Sequence, residues 1–152
     1  GASMSFLADE GVPLHAVDVP DAGSQFRSRD VFPGALAALV RGEADLLGER
    51  VTVDPAPVRS VVYTDGYGNL KTSWHEPPAE TGATVRVRIG GAEAEAMVTD
   101  GVFSVPAGMV SFAPGSSGWR DDRAFYELLA RGGNIAERFG YPASGTPVFV
   151  TY

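Results

Sequence analysis

Three short segments hold residues whose types and spacing could do chemistry. The first is Thr64-Asp65-Gly66-Tyr67-Gly68-Asn69, placed after an apolar run. Asp, Asn and two glycines make a tight loop that can turn side chains outward. A carboxamide such as Asn69 can both donate and accept at a base edge, which makes it a reader of adenine, and the Asp65 carboxylate could bind a ligand ammonium. The same composition also describes an ordinary hairpin turn. The second segment is Pro114-Gly115-Ser116-Ser117-Gly118. Its glycines let backbone approach a ligand, and its hydroxyls and N–H groups suit a carboxylate. It lacks the lysine of a phosphate-binding P-loop and is, read alone, a flexible loop. The third is Gln25-Phe26-Arg27-Ser28-Arg29-Asp30, ahead of a helix whose N-terminus favours anions. Read alone, Asp30 caps that helix and the arginines are solvated or paired.

The elements that must position these segments follow from pattern. Residues 30–42 read as a helix, with Asp30 as N-cap, Pro33 in the first turn, Leu36, Leu39 and Val40 at helical spacing, and Gly42 as stop. A short strand is expected near Leu14 to Val17, with a turn at Asp21-Ala22-Gly23. The run Pro55 to Pro57 marks a boundary. Beyond it, strands are expected at Val58 to Tyr63, Thr84 to Ile89, Glu93 to Val98, Val102 to Val105, Met109 to Phe112 and Pro147 to Thr151. Gly90-Gly91 and Asp100-Gly101 read as hairpin turns. Residues 125–130 are compatible with helix or strand, and Asn134 caps a short helix through Phe139. The fold class is therefore mainly β with some α, a small antiparallel β-barrel preceded by a short strand–helix segment.

Composition narrows the function. The 152 residues carry 19 glycines, 11 prolines and no cysteine, so disulfides, thiolate catalysis and Cys-ligated zinc are excluded. His15 and His75 form no ligand-spaced pair. His15 falls in an apolar strand and reads as a core residue, and His75 as part of an exposed loop, so no metal is expected. A net charge of -7 argues against a nucleic-acid or anionic-membrane surface. No apolar run reaches the roughly 20 residues of a membrane span. These features suggest a soluble cytoplasmic protein, with Gly1 to Ser3 ahead of Met4 as a cloning remnant.

The order of the motifs resembles one family, the SAM hydroxide adenosyltransferases, which include the SAM-dependent fluorinases and chlorinases. That family has a Thr-Phe-x-(Gly or Ser)-Arg-Asp element before a helix, an Ile-Asp-x-Phe-Gly-Asn loop, Pro-x-Gly followed by Gly-Ser-x-Gly, and a Gly-Asn-Ala-Ala helix start. Gln25 to Asp30, Tyr63 to Asn69, Pro106 to Gly108 with Gly115 to Gly118, and Gly133 to Ala136 are similar to these in the same order. The resemblance implies a chain that binds S-adenosylmethionine (SAM) or adenosine. In the family, water or halide attacks ribose C5′ and methionine leaves. No further cofactor is implied.

The resemblance also implies roles. Asp65 would hold the methionine ammonium, Asn69 would read adenine, and Tyr67 would support their loop. Ser116 and Ser117 would meet the methionine carboxylate. Asn134 and Ile135 would offer backbone groups to adenine, Phe103 would stack on it, and Phe26 and Ser28 would line the pocket of the attacking nucleophile. Residues 4–54 would be the tail of an N-terminal α/β domain and 55–152 the adenine-binding barrel. The sequence departs from the family in lacking most of the N-terminal domain with its ribose-holding aspartates. It has Arg27 where hydroxide-using members have His, and about five extra residues around Trp119 to Arg123. The resemblance thus implies a half-site, completed by a separate chain like the missing domain, in a homo-oligomer that is a trimer in the family. The alternatives are a non-catalytic SAM or adenosine module and an inactive remnant.

Overall fold

The computed structural model describes Leu7 and residues 10–19, 23–55, 57–118 and 124–152. The expected remnant at Gly1 to Ser3, most of the turn at Asp21-Ala22-Gly23 and the extra residues Trp119 to Arg123 lie outside the described residues. The chain divides into two compact units, one of residues 11–52, the other of residues 53–152 together with Leu7 and Glu10.

In the first unit, β1 (Leu14–Val17) pairs antiparallel with β2 (Leu47–Val51). Between them lie a single helical turn, α1 (Arg27–Asp30), and α2 (Phe32–Val40). Pro33 occupies the first turn of α2, where its missing N–H costs nothing. The chain turns off the helix at Gly42, whose φ of +88° suits glycine. Asp30 does not cap α2: Val31 holds that position without a side-chain bond. The reason is local competition, because the Asp30 carboxylate accepts from Ser24 Oγ and Arg29 Nε and Nη2. Nor is His15 a core residue; it is exposed, with Nδ1 at 3.1 Å from the Gly48 carbonyl.

The second unit is a curled seven-stranded sheet, a half-barrel with strand order β3-β4-β8-β7-β6-β5-β9. Its strands are β3 (Val61–Thr64), β4 (Leu70–Thr72), β5 (Thr84–Ile89), β6 (Ala92–Val98), β7 (Val110–Gly118), β8 (Ala124–Ala130) and β9 (Val148–Thr151). The alternation in β5 buries Val85, Val87 and Ile89 and exposes Thr84, Arg86 and Arg88. Gly90-Gly91 turns β5 into β6, pairing Ile89 with Ala92. Residues 125–130 resolve as strand. The edges of the sheet meet where Ser60 bridges Pro147, with Val61 N–H donating to the Thr146 carbonyl (2.8 Å) and Val148 N–H to that of Arg59 (2.8 Å).

Two expected features differ. Asp100-Gly101 is not a hairpin, because β6 and β7 run parallel, Met97 beside Ser111 and Val98 beside Phe112. Val102 to Val105 is not a strand but a 3-10 turn over Val102–Ser104. Local side-chain bonds favour the turn: Ser104 Oγ donates to Asp100 (2.5 Å), and Thr99 Oγ1 to the Gly101 carbonyl (3.0 Å). The crossover that a parallel pair requires is this short excursion.

The core fills the concave face. A row runs across it through Leu70, Leu128, Phe112 and Val98, in register on β4, β8, β7 and β6 and each at most 1% exposed. Ile135, Ala136 and Phe139, from α3 (Ile135–Arg138) and the residue after it, join the same cluster. Phe112 meets the edges of Trp74 (6.0 Å) and Tyr126 (6.2 Å). Truncating Phe112 to Ala should cost about 3–5 kcal/mol, while Val58→Ala, on an exposed turn, should stay within about 0.5 kcal/mol. Urea unfolding of the two variants checks this, and similar losses would show that the core is misassigned.

Candidate functional site

On the opposite face of the sheet the same strands carry a polar row. Tyr63, Lys71, Glu127 and Ala113 stand in register across β3, β4, β8 and β7. Lys71 and Glu127 form a direct ion pair, and their side chains are each 7% exposed. Lys71 Nζ also lies 3.5 Å from Asp65 Oδ2. Burying one cation and two carboxylates is costly unless they satisfy one another, and each has a partner.

The 65–69 loop is built around Asp65. Its Oδ1 accepts from the N–H groups of Tyr67 (2.9 Å) and Asn69 (3.0 Å), and its Oδ2 from Asn69 Nδ2 (3.0 Å). Burial opposes ionisation of Asp65, but the Asn69 and Tyr67 donors and the Lys71 ammonium outweigh it and hold the carboxyl below its ordinary range. Lys71 is drawn below its usual value by burial, and Asp65 pulls partly against that. Asn69 thus spends one N–H internally, and Tyr67 stands 85% exposed.

Of the other two segments of this unit, 133–136 seats against that loop, whereas 114–118 is not the loop its composition suggests but the end of β7, beside Glu127 and Tyr63. Gly68 has φ of +83°, and a Cβ there would fall 2.1 Å from Asn134 Oδ1. Ala136 N–H donates to the Gly68 carbonyl (2.9 Å), and Asn134 Oδ1 caps α3 through Glu137 N–H (3.0 Å). Ile135 is fully buried as a side chain. A Cβ on Gly115 would fall 2.5 Å from Glu127 Oε1 and 2.8 Å from the Phe125 backbone carbonyl, so glycine suits the close approach of the 114–118 stretch to that carboxylate. Ser117 Oγ is 2.6 Å from the Tyr63 hydroxyl, and Ser116 is exposed. The structure therefore brings Asp65, Asn69, Ser117 and Asn134 into one connected neighbourhood through Tyr63, Lys71, Glu127 and two glycines. Phe103 is 84% exposed on its 3-10 turn, with the Arg131 guanidinium 5.9 Å from its ring and donating to the Phe103 and Val105 carbonyls.

Phe26 and Ser28 belong to the 11–52 unit. Phe26 precedes α1, half exposed, with its N–H on Ser24 Oγ (3.0 Å) and Arg29 stacked on its ring (4.7 Å); Ser28 is exposed on α1. That unit has an apolar hollow of about 450 Å³ lined by Val17, Val19, Arg27, Phe32, Leu36 and Leu39, among others. Neither Phe26 nor Ser28 lines it. Among the described residues no cluster of His, Asp and Glu is arranged to hold a metal ion, and no helix is long and apolar enough to cross a membrane. His75 is exposed and stacks on Phe125 at 5.1 Å.

Sequence reasoning missed Tyr63, Lys71 and Glu127 as parts of this neighbourhood. A signal was present: Lys71 is the sole lysine of the chain, and both it and Glu127 interrupt strand-like runs with opposite charges.

Among solved structures, the chain is similar to an uncharacterized conserved protein from Thermotoga maritima at 21% identity and a TM-score of 0.62, over 98% of this chain and 63% of that one. It is also similar to a conserved hypothetical protein from Thermus thermophilus at 25% identity and a TM-score of 0.51, over 82% of this chain and 52% of that one. The chain thus spans between half and two thirds of each neighbour. The likeness establishes the fold. No protein-family model and no curated protein matches the chain.

This geometry makes two predictions. Gly68→Ala should lower stability by about 1–3 kcal/mol, because it meets both an unfavourable φ and the Asn134 carboxamide; an unchanged melting midpoint would contradict the docking. Because Asp65 has a depressed folded pKa, its contribution is full above the ordinary Asp value of about 3.9 and is lost as pH falls through the lower folded value. Wild type should therefore exceed Asp65→Asn in denaturant midpoint at pH 6, with the gap narrowing as pH falls below about 4.

Proposed function

We propose that the 53–152 unit is the adenine and amino-acid side of a SAM-binding site, and that this chain is one half of an adenosyltransferase. In the reaction, water or halide forms a bond to ribose C5′ while the C5′–S bond breaks. The electron pair leaves on sulfur as methionine, and with water one proton is released, giving adenosine. The observation that supports the reading is that three separate segments are linked to one another: 64–69 through Asp65 and 115–118 through Gly115 meet the Lys71–Glu127 pair, and 133–136 docks on Gly68 of the first.

In this reading Asp65, kept anionic, takes the ligand ammonium, with Asn69 and the 134–135 backbone at adenine and the Ser116–Ser117 hydroxyls at the carboxylate. Phe103 offers an exposed ring for stacking. Phe26 and Ser28 are proposed for the nucleophile's pocket. Displacement at C5′ needs a desolvated nucleophile in line with the sulfonium at about 3–3.5 Å. The ribose side is proposed to come from a separate chain, within an oligomer that the resemblance makes a trimer. A second reading is a SAM or adenosine module without turnover. It is favoured by the internal bonding of Asp65 and Asn69, which makes a rigid receptor out of groups that chemistry would need to move.

Calorimetric titration with SAM and with adenosine, with product assay on the same samples, tests the reading. Both ligands should bind, and Asp65→Asn should weaken SAM about tenfold or more, and weaken it more than adenosine, whose reader Asn69 is held by the same carboxylate. Binding without release of methionine favours the module or half-site over a complete enzyme. Binding of neither ligand would overturn the reading.

A further inference from the structure

We infer that Glu127 is a positioning residue that sets the net charge of the cluster around Asp65, and so selects a ligand carrying a cationic amine; the inference rests on the SAM-binding reading. Asp65, Glu127 and Lys71 form a connected cluster whose formal charges sum to one negative charge. The Lys71 ammonium has two carboxylates within reach, Glu127 in direct contact and Asp65 Oδ2 at 3.5 Å. It sits against the more buried one. Asp65, whose side chain is 21% exposed, is where the uncompensated charge faces outward.

Were Glu127 neutral, Lys71 would have Asp65 as its sole anionic partner in the cluster, and the cluster would carry no net charge. A cationic ligand would then meet a cluster without net charge, whereas a neutral nucleoside would lose nothing. The surroundings fit this division. Gly115 passes over Glu127 because a Cβ would strike its Oε1, which shields that carboxylate. Asp65 instead lies in the loop, held by Tyr67 and Asn69 donors that fix its orientation without neutralising it. The other hydroxyls near the cluster, Tyr63 and Ser117, bond to each other (2.6 Å).

The test compares wild type, Glu127→Gln and the double variant Lys71→Met/Glu127→Gln. In Glu127→Gln, SAM affinity should fall about tenfold or more with adenosine affinity unchanged. The double variant restores the single negative charge and should regain SAM binding, which a purely structural role for Glu127 would not give. Equal SAM binding in wild type and Glu127→Gln would overturn the inference. So would continued loss in the double variant, which carries the test alone if the single variant fails to fold. A ligand-free measurement separates this from the binding reading. By 13C NMR, the Asp65 carboxyl should titrate lower in Glu127→Gln than in wild type and return upward in the double variant. Identical titration in the two variants would overturn the charge arrangement, whereas failure of wild type to bind SAM or adenosine would overturn the SAM-binding reading alone.

Discussion

The buried pair of Lys71 and Glu127 is the constraint on which the second unit's outer face depends. Two charged side chains removed from water are stable only when matched, and removal of one partner is far more damaging than removal of both. The match is fixed by strand register, since Lys71 on β4 lies directly opposite Glu127 on β8. A slip of β4 by one residue would turn Lys71 into the core face and Leu70 out of it, and leave Glu127 unmatched. The hydrophobic row and the polar row therefore secure the same register from opposite sides of one sheet.

From that pair the loops take their shapes. Asp65 approaches Lys71 and in turn organises the backbone from Tyr67 to Asn69. Gly68 lets that loop lie against Asn134, which is already committed to capping α3, and α3 buries Ile135 and Ala136 in the core. Gly115 performs the equivalent service over Glu127. Each contact is individually modest, yet they form a chain from core to surface with few soft links. Such an arrangement suits a preorganised receptor, because little ordering remains to be done when a ligand arrives. The 11–52 unit is different in character. Among its described residues Ala38 is the one buried hydrophobic side chain, while Phe32, Leu36 and Val40 remain exposed.

What was legible in the sequence was what local chemistry decides. The alternation of 84–89, the Gly90-Gly91 hairpin and the Asn134 cap each depend on residues within a few positions of one another. Asp100-Gly101 misled because its composition suits a hairpin and a crossover turn equally, and the choice is made by Ser111 and Phe112, which pair with β6 from further along the chain. β2 and β4 were missed: one is mostly exposed and lacks a buried stripe, and the other is three residues long. Asp65, Asn69, Ser117 and Asn134 could be named from loop composition, but Lys71 and Glu127 could not be joined, since 56 positions separate them.

If three segments of the second unit act as one ligand site, they must respond to one ligand together. Amide chemical-shift mapping of the uniformly 15N-labelled chain, titrated with SAM, tests this most directly. Saturable shifts should appear together at residues 65–69, 116–117 and 134–136. Shifts confined to the hollow around Phe32 and Leu39, or none at all, would contradict it.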